Sequence, residues 1–472
     1  MEVKEYIQGL VKRARAAQRI AENYDQKKVD ELTGAVAWFT CLEDFRQKTA
    51  QMLVDESKMG VVADKALKIY NKAKGVYAGM KNDISVGIVE TDEERQLVTY
   101  VKPMGVIGVL LPVTNGEATP IVKALWAVKS RNAIILAPHP RGKETCKFIT
   151  DYIRSVLKKY GAPEDLVMCI DPEQVSVETS NELLKQVDFN VATGGTPMVR
   201  VAYSSGTPTI GVGTGNATSY VDTDADPDEA AEKIMRSKTF DNASSCSSEN
   251  SLVVHKDMYD KMIAALDKQG AFIIRENTDE HKKLQKTVWP DWPEKIGILN
   301  RDVAGANIEN IGKLAGLNIP SDRKFIVVEE NGGIGKDYPF TGEKLSVIST
   351  LIKANDFEDA LNKMEAIVSY QGMGHSCGIH TSNEDHINKL AMRMKVSRIL
   401  VNQPQTLGNS GAWFNGLPNT MSLGCGTWGH NSTGRNLTWK DIVNYTVVSK
   451  PFPPRQPTDE ELFPEEIRKA KL

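Results

Sequence analysis

Apolar positions over the first eighty residues recur at spacings of three and four. The first such stripe consists of Ile7, Leu10, Val11 and Ala14. This spacing places apolar side chains on one face of a helix with 3.6 residues per turn. The pattern predicts that residues 1 to about 82 form packing helices, and it assigns no chemistry to them.

The pattern changes to short β-prone runs after residue 84. Residues 84–90 and 97–102 flank the polar turn 91–94, which predicts a β-hairpin. A similar strand-like run covers residues 442–449. We expect the hairpin 84–102 and this late strand to pair with neighbouring subunits in an oligomer.

Buried strands alternate with amphipathic helices between residues 101 and 222. Residues 106–111 form a continuous apolar run, which is typical of a strand buried on both faces of a parallel sheet. The alternation continues with runs at 118–129, 133–137, 143–160, 167–170 and 189–192. This rhythm predicts a doubly wound parallel sheet, whose ligands bind beyond the carboxyl ends of the strands.

A second α/β unit is predicted after residue 222. Residues 222–227 combine helix-capping side chains with a proline, which indicates a helix start and the end of the first domain. Strand and helix runs then resume at 251–255, 259–269, 325–328, 356–368 and 378–381. We therefore divide the chain into three parts, residues 1–222, 223–435 and 436–472.

Composition narrows the possible partners. The net charge of -3 argues against nucleic-acid binding, which normally needs a basic excess. The six cysteines include no CxxC pair, which argues against a metal site or a disulfide framework and for a reducing compartment. No apolar run approaches the roughly 20 residues of a membrane span, and the amino-terminal residues mix acids and bases, unlike a signal peptide. We expect a cytoplasmic protein without metal, membrane or nucleic-acid partners.

One cysteine stands in a segment suited to nucleophilic chemistry. Small polar residues surround Cys246, and the apolar run 252–254 follows it. This pattern predicts a loop that presents a thiol to open space from the start of a buried strand. The alternative is a filler cysteine, since an isolated free cysteine is usually a small buried hydrophobic residue.

Two glycine clusters lie where ligand-binding loops are expected. They are TGGT at 193–196 and GVGTGN at 211–216, each following a predicted strand. Glycine lets a backbone approach a phosphate or a reacting carbonyl closely. Neither cluster matches the GxGxxG fingerprint, so simple turns are the alternative interpretation.

Across residues 85–450 the chain resembles the aldehyde dehydrogenase superfamily, and within it the CoA-acylating branch. The resemblance is carried by eight motifs in family order: PVTN at 112–115, APHPRG at 137–142, ATGG at 192–195, GVGTGN at 211–216, FDNASSC at 240–246, YPFTGEKLS at 338–346, GMGHS at 372–376 and GTWGHNS at 426–432. It implies an α/β fold of two doubly wound domains plus a small β oligomerisation element. The first part, 1–222, would then bind cofactor, 223–435 would carry the nucleophile, and the enzyme would be a homo-oligomer, a dimer or a tetramer.

The resemblance also implies a mechanism. Cys246 would attack an aldehyde as a thiolate, with the Asn115 amide and the Cys246 N–H holding the resulting oxyanion. His375 would take a proton, although a histidine after a glycine turn is also often structural. Hydrolytic relatives carry a glutamate in the segment 211–216 to activate water, and this chain has none. Coenzyme A is therefore the expected acyl acceptor, and a hydrolytic aldehyde dehydrogenase is the alternative.

The family match assigns further residues to the nicotinamide cofactor, NAD or NADP. Glu343 would hold the nicotinamide ribose, unless it is an exposed turn acid. His139 and Arg141 occupy the loop near the adenosine ribose. The remaining predicted cofactor residues line the groove: Thr114, Thr193, Gly194, Gly195 and Gly213.

The late loop 429–436 corresponds to the border of the aldehyde pocket in the family. His430 and Arg435 lie in it, and a guanidinium suits an anionic group because it binds two oxygens at once. This predicts sulfoacetaldehyde as substrate and sulfoacetyl-CoA as product. If Arg435 instead faces solvent or a neighbouring subunit, acetaldehyde or propionaldehyde becomes the expected substrate.

Overall fold

The computed structural model describes residues 2–470. The predicted helical region consists of four helices, α1 (Val3–Ala21), α2 (Gln26–Cys41), α3 (Glu43–Ser57) and α4 (Val62–Met80). Helix α1 buries the apolar stripe predicted from its spacing, and the N-cap of α2 is Asp25, whose carboxylate accepts a hydrogen bond from the Lys28 N–H. The prediction for this region is confirmed.

The rest of the described chain alternates strands and helices. The strands are β1 (Gly87–Asp92), β2 (Leu97–Pro103), β3 (Val106–Leu110), β4 (Ala133–Ala137), β5 (Val167–Cys169), β6 (Phe189–Thr193), β7 (Thr209–Val212), β8 (Thr218–Val221), β9 (Ser251–His255), β10 (Ala271–Ile274), β11 (Phe325–Glu329), β12 (Ile348–Ala354), β13 (Cys377–His380), β14 (Ile399–Val401) and β15 (Val443–Ser449). The further helices are α5 (Thr119–Ser130), α6 (Lys143–Lys159), α7 (Val177–Gln186), α8 (Thr196–Tyr203), α9 (Pro227–Thr239), α10 (Lys256–Lys268), α11 (Asp279–Val288), α12 (Ile308–Ala315), α13 (Phe357–Tyr370), α14 (Glu384–Arg393), α15 (Gln405–Gly408), α16 (Asp459–Leu462) and α17 (Glu465–Lys469).

The first large sheet is parallel, with strand order β5-β4-β3-β6-β7. Every residue of β3 and β4 is buried, as their continuous apolar runs predict. The strand order reverses between β3 and β6, and ligands of doubly wound sheets bind beyond the carboxyl ends of strands at such a switch point. The loops after β3 and β6 therefore face a binding crevice.

The second large sheet is also parallel, with strand order β10-β11-β12-β9-β8-β13-β14. The two parallel sheets confirm the predicted α/β fold class. The chain passes from one sheet to the other between Val212 and Thr218, a few residues before the boundary placed at 222. The division into domains stays a prediction.

The hairpin and the late strand form a third, antiparallel sheet with order β1-β2-β15. Strand β15 pairs with β2 from Val443 opposite Pro103 to Ser449 opposite Leu97. The hairpin prediction is confirmed, and its described partner is β15 of the same chain. Residues 444–449 are exposed, so this sheet has a free face and a free edge.

Residues 2–470 lack two features, a helix able to span a membrane and a cluster of metal-binding side chains. No helix in that range combines the length and apolar character that crossing a bilayer requires. No group of three or more His, Cys, Asp or Glu side chains in the same range is arranged to hold a metal ion.

Candidate active site

A cavity of about 720 Å³ lies between the two parallel sheets. Loops from both sheets and one face of α4 form its wall. Most of the site residues predicted from sequence meet there: Thr114, Asn115, His139, Thr193, Gly194, Gly195, Gly213, Cys246, Glu343 and His375. The structure therefore brings the predicted nucleophile, its predicted base and the predicted cofactor groove into one space.

The loop that carries Cys246 begins with a left-handed turn. Asp241, Asn242 and Ala243 have φ angles of 52°, 50° and 52°, and this conformation costs about 1–2 kcal/mol per non-glycine residue. The buried Asp241 carboxylate offsets that strain by accepting hydrogen bonds from Lys65 Nζ at 2.9 Å and Lys68 Nζ at 2.6 Å. The turn is thus held by charged residues of α4.

The thiol itself is accessible. Cys246 and Cys41 are partly exposed, and of these two only Cys246 lines the cavity, whereas Cys146, Cys169, Cys377 and Cys425 are buried. A cysteine that only fills the core would resemble those four. The exposure of Cys246 to the cavity supports the interpretation that it is a nucleophile.

Gly215 fixes how closely the first sheet approaches the nucleophile. A Cβ atom on Gly215 would lie 2.1 Å from the carbonyl oxygen of Cys246, which no side chain can tolerate. The neighbouring Gly213 donates its N–H to Asn431 Oδ1 at 3.2 Å. The segment 211–215 therefore lies directly against the nucleophile loop without supplying a carboxylate.

His375 is the nearest polar partner of the thiol. Its Nε2 atom lies 3.3 Å from Cys246 Sγ, and its Nδ1 atom lies 2.8 Å from Ser376 Oγ. Gly374 has φ +84°, and a Cβ there would lie 1.9 Å from the Cys425 carbonyl oxygen. Only glycine permits the turn that carries the imidazole to the sulfur.

Desolvation keeps both partners uncharged. Removal from water, with the nearby charge of Glu343 adding to it, raises the pKa of the Cys246 thiol to about 12. Burial, with the charge of Arg398 adding to it, lowers the pKa of His375 to about 3. The pair therefore rests as a neutral thiol and a neutral imidazole.

Asn115 is positioned by a lysine that sequence reasoning missed. Lys68 Nζ donates to Asn115 Oδ1 at 2.9 Å, while the amide nitrogen of Asn115 has only a 3.4 Å contact to Thr114 Oγ1. This leaves the amide N–H groups able to donate into the cavity. Among residues 2–470, no acceptor takes the backbone N–H of Cys246 either. Two donors are thus available for an oxyanion.

Lys68 belongs to a buried charge cluster of two lysines and two acids. Lys68 Nζ lies 2.8 Å from Glu117 Oε1, and Lys65 Nζ lies 3.6 Å from Glu117 Oε2. Asp241 contacts both lysines. The sequence carries one sign of this cluster, because Lys65, Lys68 and Lys72 are spaced so that they share a helix face with buried apolar residues. Lysine is rarely fully buried unless it is paired, so such a face indicates buried charge partners.

Glu343 lines the cavity and is not an exposed turn acid. Burial raises the pKa of its carboxyl group to about 8, while a hydrogen bond from Gly215 and the charges of Lys344 and Lys238 act in the opposite direction. Its assigned role at the nicotinamide ribose stays a prediction.

The loop after β6 meets the cavity at the amino terminus of α8. Gly194 and Gly195 lead into the amino terminus of α8, where backbone N–H groups favour a phosphate. A Cβ on Gly195 would meet nothing closer than Pro197 Cδ at 3.8 Å, so the backbone there faces open space.

Arg141 lies outside the cavity lining. Its guanidinium donates to the Ser57 carbonyl, and its N–H donates to His139 Nδ1 at 3.0 Å. Burial, with the charge of Arg141 adding to it, lowers the pKa of His139. Arg141 therefore braces the loop that carries His139, and the structure does not bring it to the groove.

The prediction that Arg435 borders the aldehyde pocket is wrong within this chain. Its guanidinium pairs with Asp441 at 2.5 Å and is 71% exposed, which agrees with the alternative that it faces solvent or a neighbouring subunit. His430 is also absent from the cavity lining. The late loop contributes through Asn431 instead, whose side chain holds Gly213 at 3.2 Å and the Cys425 N–H at 3.0 Å.

Comparison with known proteins gives consistent matches. The sequence model described as the aldehyde dehydrogenase family matches residues 3–283. A sulfoacetaldehyde dehydrogenase of Acholeplasma sp is 42% identical, covering 98% of this chain and 94% of that protein. A sulfoacetaldehyde dehydrogenase (acylating) of Bilophila wadsworthia is 41% identical, covering 95% and 96%. The crystal structure of an acetylating aldehyde dehydrogenase from Geobacillus thermoglucosidasius superposes with a TM-score of 0.91 at 33% identity, covering 97% and 98%.

Proposed function

The chain belongs to the aldehyde dehydrogenase family, and we propose that it is a CoA-acylating enzyme that oxidises sulfoacetaldehyde to sulfoacetyl-CoA with NAD or NADP. The observation that carries this proposal is the 3.3 Å contact between Cys246 Sγ and His375 Nε2 in a cavity shared with Asn115. The two relatives named as sulfoacetaldehyde dehydrogenases support the substrate.

The first step is the addition of the Cys246 sulfur to the aldehyde carbon. Since the thiol is neutral, its proton must leave as the carbon–sulfur bond forms, and His375 Nε2 is the acceptor within reach. The carbonyl oxygen gains negative charge. The Asn115 amide and the Cys246 N–H supply donors for that charge.

Oxidation leaves an acyl group on Cys246. NAD(P)+, when bound, would supply the hydride acceptor, and the residues that would hold it are Thr193, Gly194, Gly195 and Gly213, with Glu343 at the ribose. Coenzyme A then loses its thiol proton to solvent and attacks the thioester carbon as a thiolate. Acyl-CoA forms as the Cys246 thiolate leaves, and this thiolate regains the proton that His375 accepted in the first step.

The choice of acceptor follows from the segment 211–215. No residue of this segment carries a carboxylate to deprotonate water. A water molecule without a general base is a weak nucleophile, so the thioester survives until the thiol of coenzyme A arrives. Hydrolysis is the competing outcome, and an acid of the cavity lining, Glu343 or Asp64, would have to support it.

We extend the proposal to the assembly of the enzyme. The chain is divided into three parts at residues 222 and 435. The sheet β1-β2-β15 pairs subunits into a dimer or tetramer in the cytoplasm. The exposed apolar side chains of Tyr445, Val447 and Val448 on β15 support a covered face in the oligomer.

The test is NAD(P)H formation followed by absorbance. The wild type is expected to need both sulfoacetaldehyde and free coenzyme A, and Cys246→Ala is expected to be inactive. Steady NAD(P)H formation without coenzyme A would instead favour a hydrolytic enzyme. Turnover of acetaldehyde or propionaldehyde with no turnover of sulfoacetaldehyde would refute the proposed substrate and leave the acylating chemistry intact.

A further inference from the structure

Lys72 is a buried cation in the wall of the active-site cavity. Its ammonium donates to the carbonyl oxygens of Ser410 at 2.9 Å and Gly411 at 2.7 Å. A third contact, to Asn419 Oδ1, is long at 3.4 Å. All three partners are neutral, and among residues 2–470 no carboxylate lies within 4.0 Å of the Lys72 ammonium.

Two other lysines of α4, Lys65 and Lys68, do have carboxylate partners. The charges of Lys65 and Lys68 are balanced by Asp241 and Glu117. The charge of Lys72 has no such balance. Burial and the nearby charge of Lys68 accordingly lower the pKa of Lys72 to about 7. A buried cation without a counter-ion is unfavourable, and an anion placed beside it would recover part of that free energy.

The position of Lys72 relative to the nucleophile indicates what that anion is. Lys72 follows Lys68 by one helical turn, about 6 Å along the same face of α4. Lys68 contacts Asn115, so the carbonyl of an aldehyde held by the oxyanion donors lies near the Lys68 end of this face. A substituent on the neighbouring carbon that follows this face of α4 by one further turn meets Lys72.

We propose that Lys72 binds the anionic substituent of the aldehyde, a sulfonate on the carbon beside the carbonyl. This inference rests on the proposed function, and it names Lys72 as the residue that selects the anionic substrate. Asn71 and Asn419 line the same wall and supply further amide donors for sulfonate oxygens. Besides Lys68, whose charge is balanced, the lining holds Arg236, which is half-exposed and pairs with Glu232 at 3.4 Å, so water screens its charge.

The main test compares two aldehydes of similar length. Sulfoacetaldehyde carries the anion, and propionaldehyde does not. Lys72→Met is expected to lower kcat/KM for sulfoacetaldehyde about 10- to 100-fold, mainly through KM, since a hydrogen bond to a charged group is lost. The change for propionaldehyde is expected to stay within about threefold. Lys74→Met is the matched control, because Lys74 lies on the exposed side of the same helix against Tyr70.

A second measurement does not need turnover. Ethanesulfonate is expected to slow the alkylation of Cys246 by iodoacetamide in the wild type and in Lys74→Met, and to give at least tenfold weaker protection in Lys72→Met. Lys72→Arg, which keeps the charge, is expected to keep protection within about threefold of the wild type.

Two outcomes would overturn the inference. One is an equal loss of kcat/KM for both aldehydes in Lys72→Met, which would mean that Lys72 only ties α4 to the loop at 410–411. The other is unchanged protection by ethanesulfonate in Lys72→Met. Failure of the proposed function is distinguishable, because it would appear in the wild type as a lack of CoA-dependent NAD(P)H formation.

Discussion

Substitution of Lys68 by methionine separates two roles of this residue. Lys68 balances the buried acids Asp241 and Glu117, and it also holds the amide oxygen of Asn115. In Lys68→Met, the single ammonium of Lys65 faces both carboxylates, at 2.9 Å from Asp241 and 3.6 Å from Glu117. Breaking a buried ion pair by removing one partner typically costs about 3–5 kcal/mol. We expect a loss of stability of that order.

The activity loss has a different origin. Removing an oxyanion donor outright costs about 100- to 1000-fold in kcat. Lys68 acts through Asn115, so the amide remains but loses its fixed orientation. We therefore expect kcat of Lys68→Met to fall about 10- to 100-fold, with Asn115→Ala as the upper limit of the effect.

The double variant Lys68→Met/Glu117→Gln separates the two effects. It restores charge balance, because Lys65 then faces only Asp241 as a charged partner. Most of the lost stability is expected to return, measured as the urea midpoint of unfolding. The loss in kcat is expected to remain, since nothing replaces the contact to Asn115. Recovery of wild-type kcat together with stability would refute the positioning role of Lys68.

Three further predictions concern the nucleophile and the late loop. Gly215→Ala is expected to abolish CoA-dependent NAD(P)H formation, because its Cβ would lie 2.1 Å from the Cys246 carbonyl oxygen; activity above about a tenth of wild type would show that the loops separate without harm. Alkylation of Cys246 by iodoacetamide is measured by mass spectrometry of its peptide. Its rate is expected to rise about tenfold per pH unit between pH 7 and 9, because the thiol pKa is raised to about 12. A plateau of the rate below pH 8 would contradict the neutral resting thiol. Arg435→Ala is expected to change kcat/KM for sulfoacetaldehyde and propionaldehyde by less than about threefold, since the guanidinium is 71% exposed and lies outside the cavity lining. A loss confined to sulfoacetaldehyde would instead place Arg435 in the substrate pocket.

The fold could be predicted from sequence where burial leaves a clear periodicity. The apolar run that became β3 is buried at every position, and the stripe that begins at Ile7 became the buried face of α1. The domain boundary predicted at 222 rests on the capping signal at 222–227, which is a local signal. Strand β8 belongs to the second sheet through long-range pairing with β9 and β13, which no local pattern reveals.

Only the site residues that lie in recognisable sequence motifs could be predicted. The sequence placed Cys246, Asn115 and His375 together because motif order reflects a shared fold. It missed Lys68 and Lys72, since their roles depend on which face of α4 meets the cavity. It misplaced Arg435, because the competing acid Asp441 lies six residues later and the sequence does not say which anion a guanidinium will choose.

The small sheet joins parts of the chain that are made at very different times. Strand β2 finds β1 at once, but its other edge waits for β15, and the Trp439 indole reaches an acid 356 positions earlier, Asp83. Domains emerge from the ribosome amino terminus first. The growing polypeptide must therefore carry an unpaired edge on β2 until β15 is made, and such an edge exposes a nascent chain to aggregation or to chaperone capture.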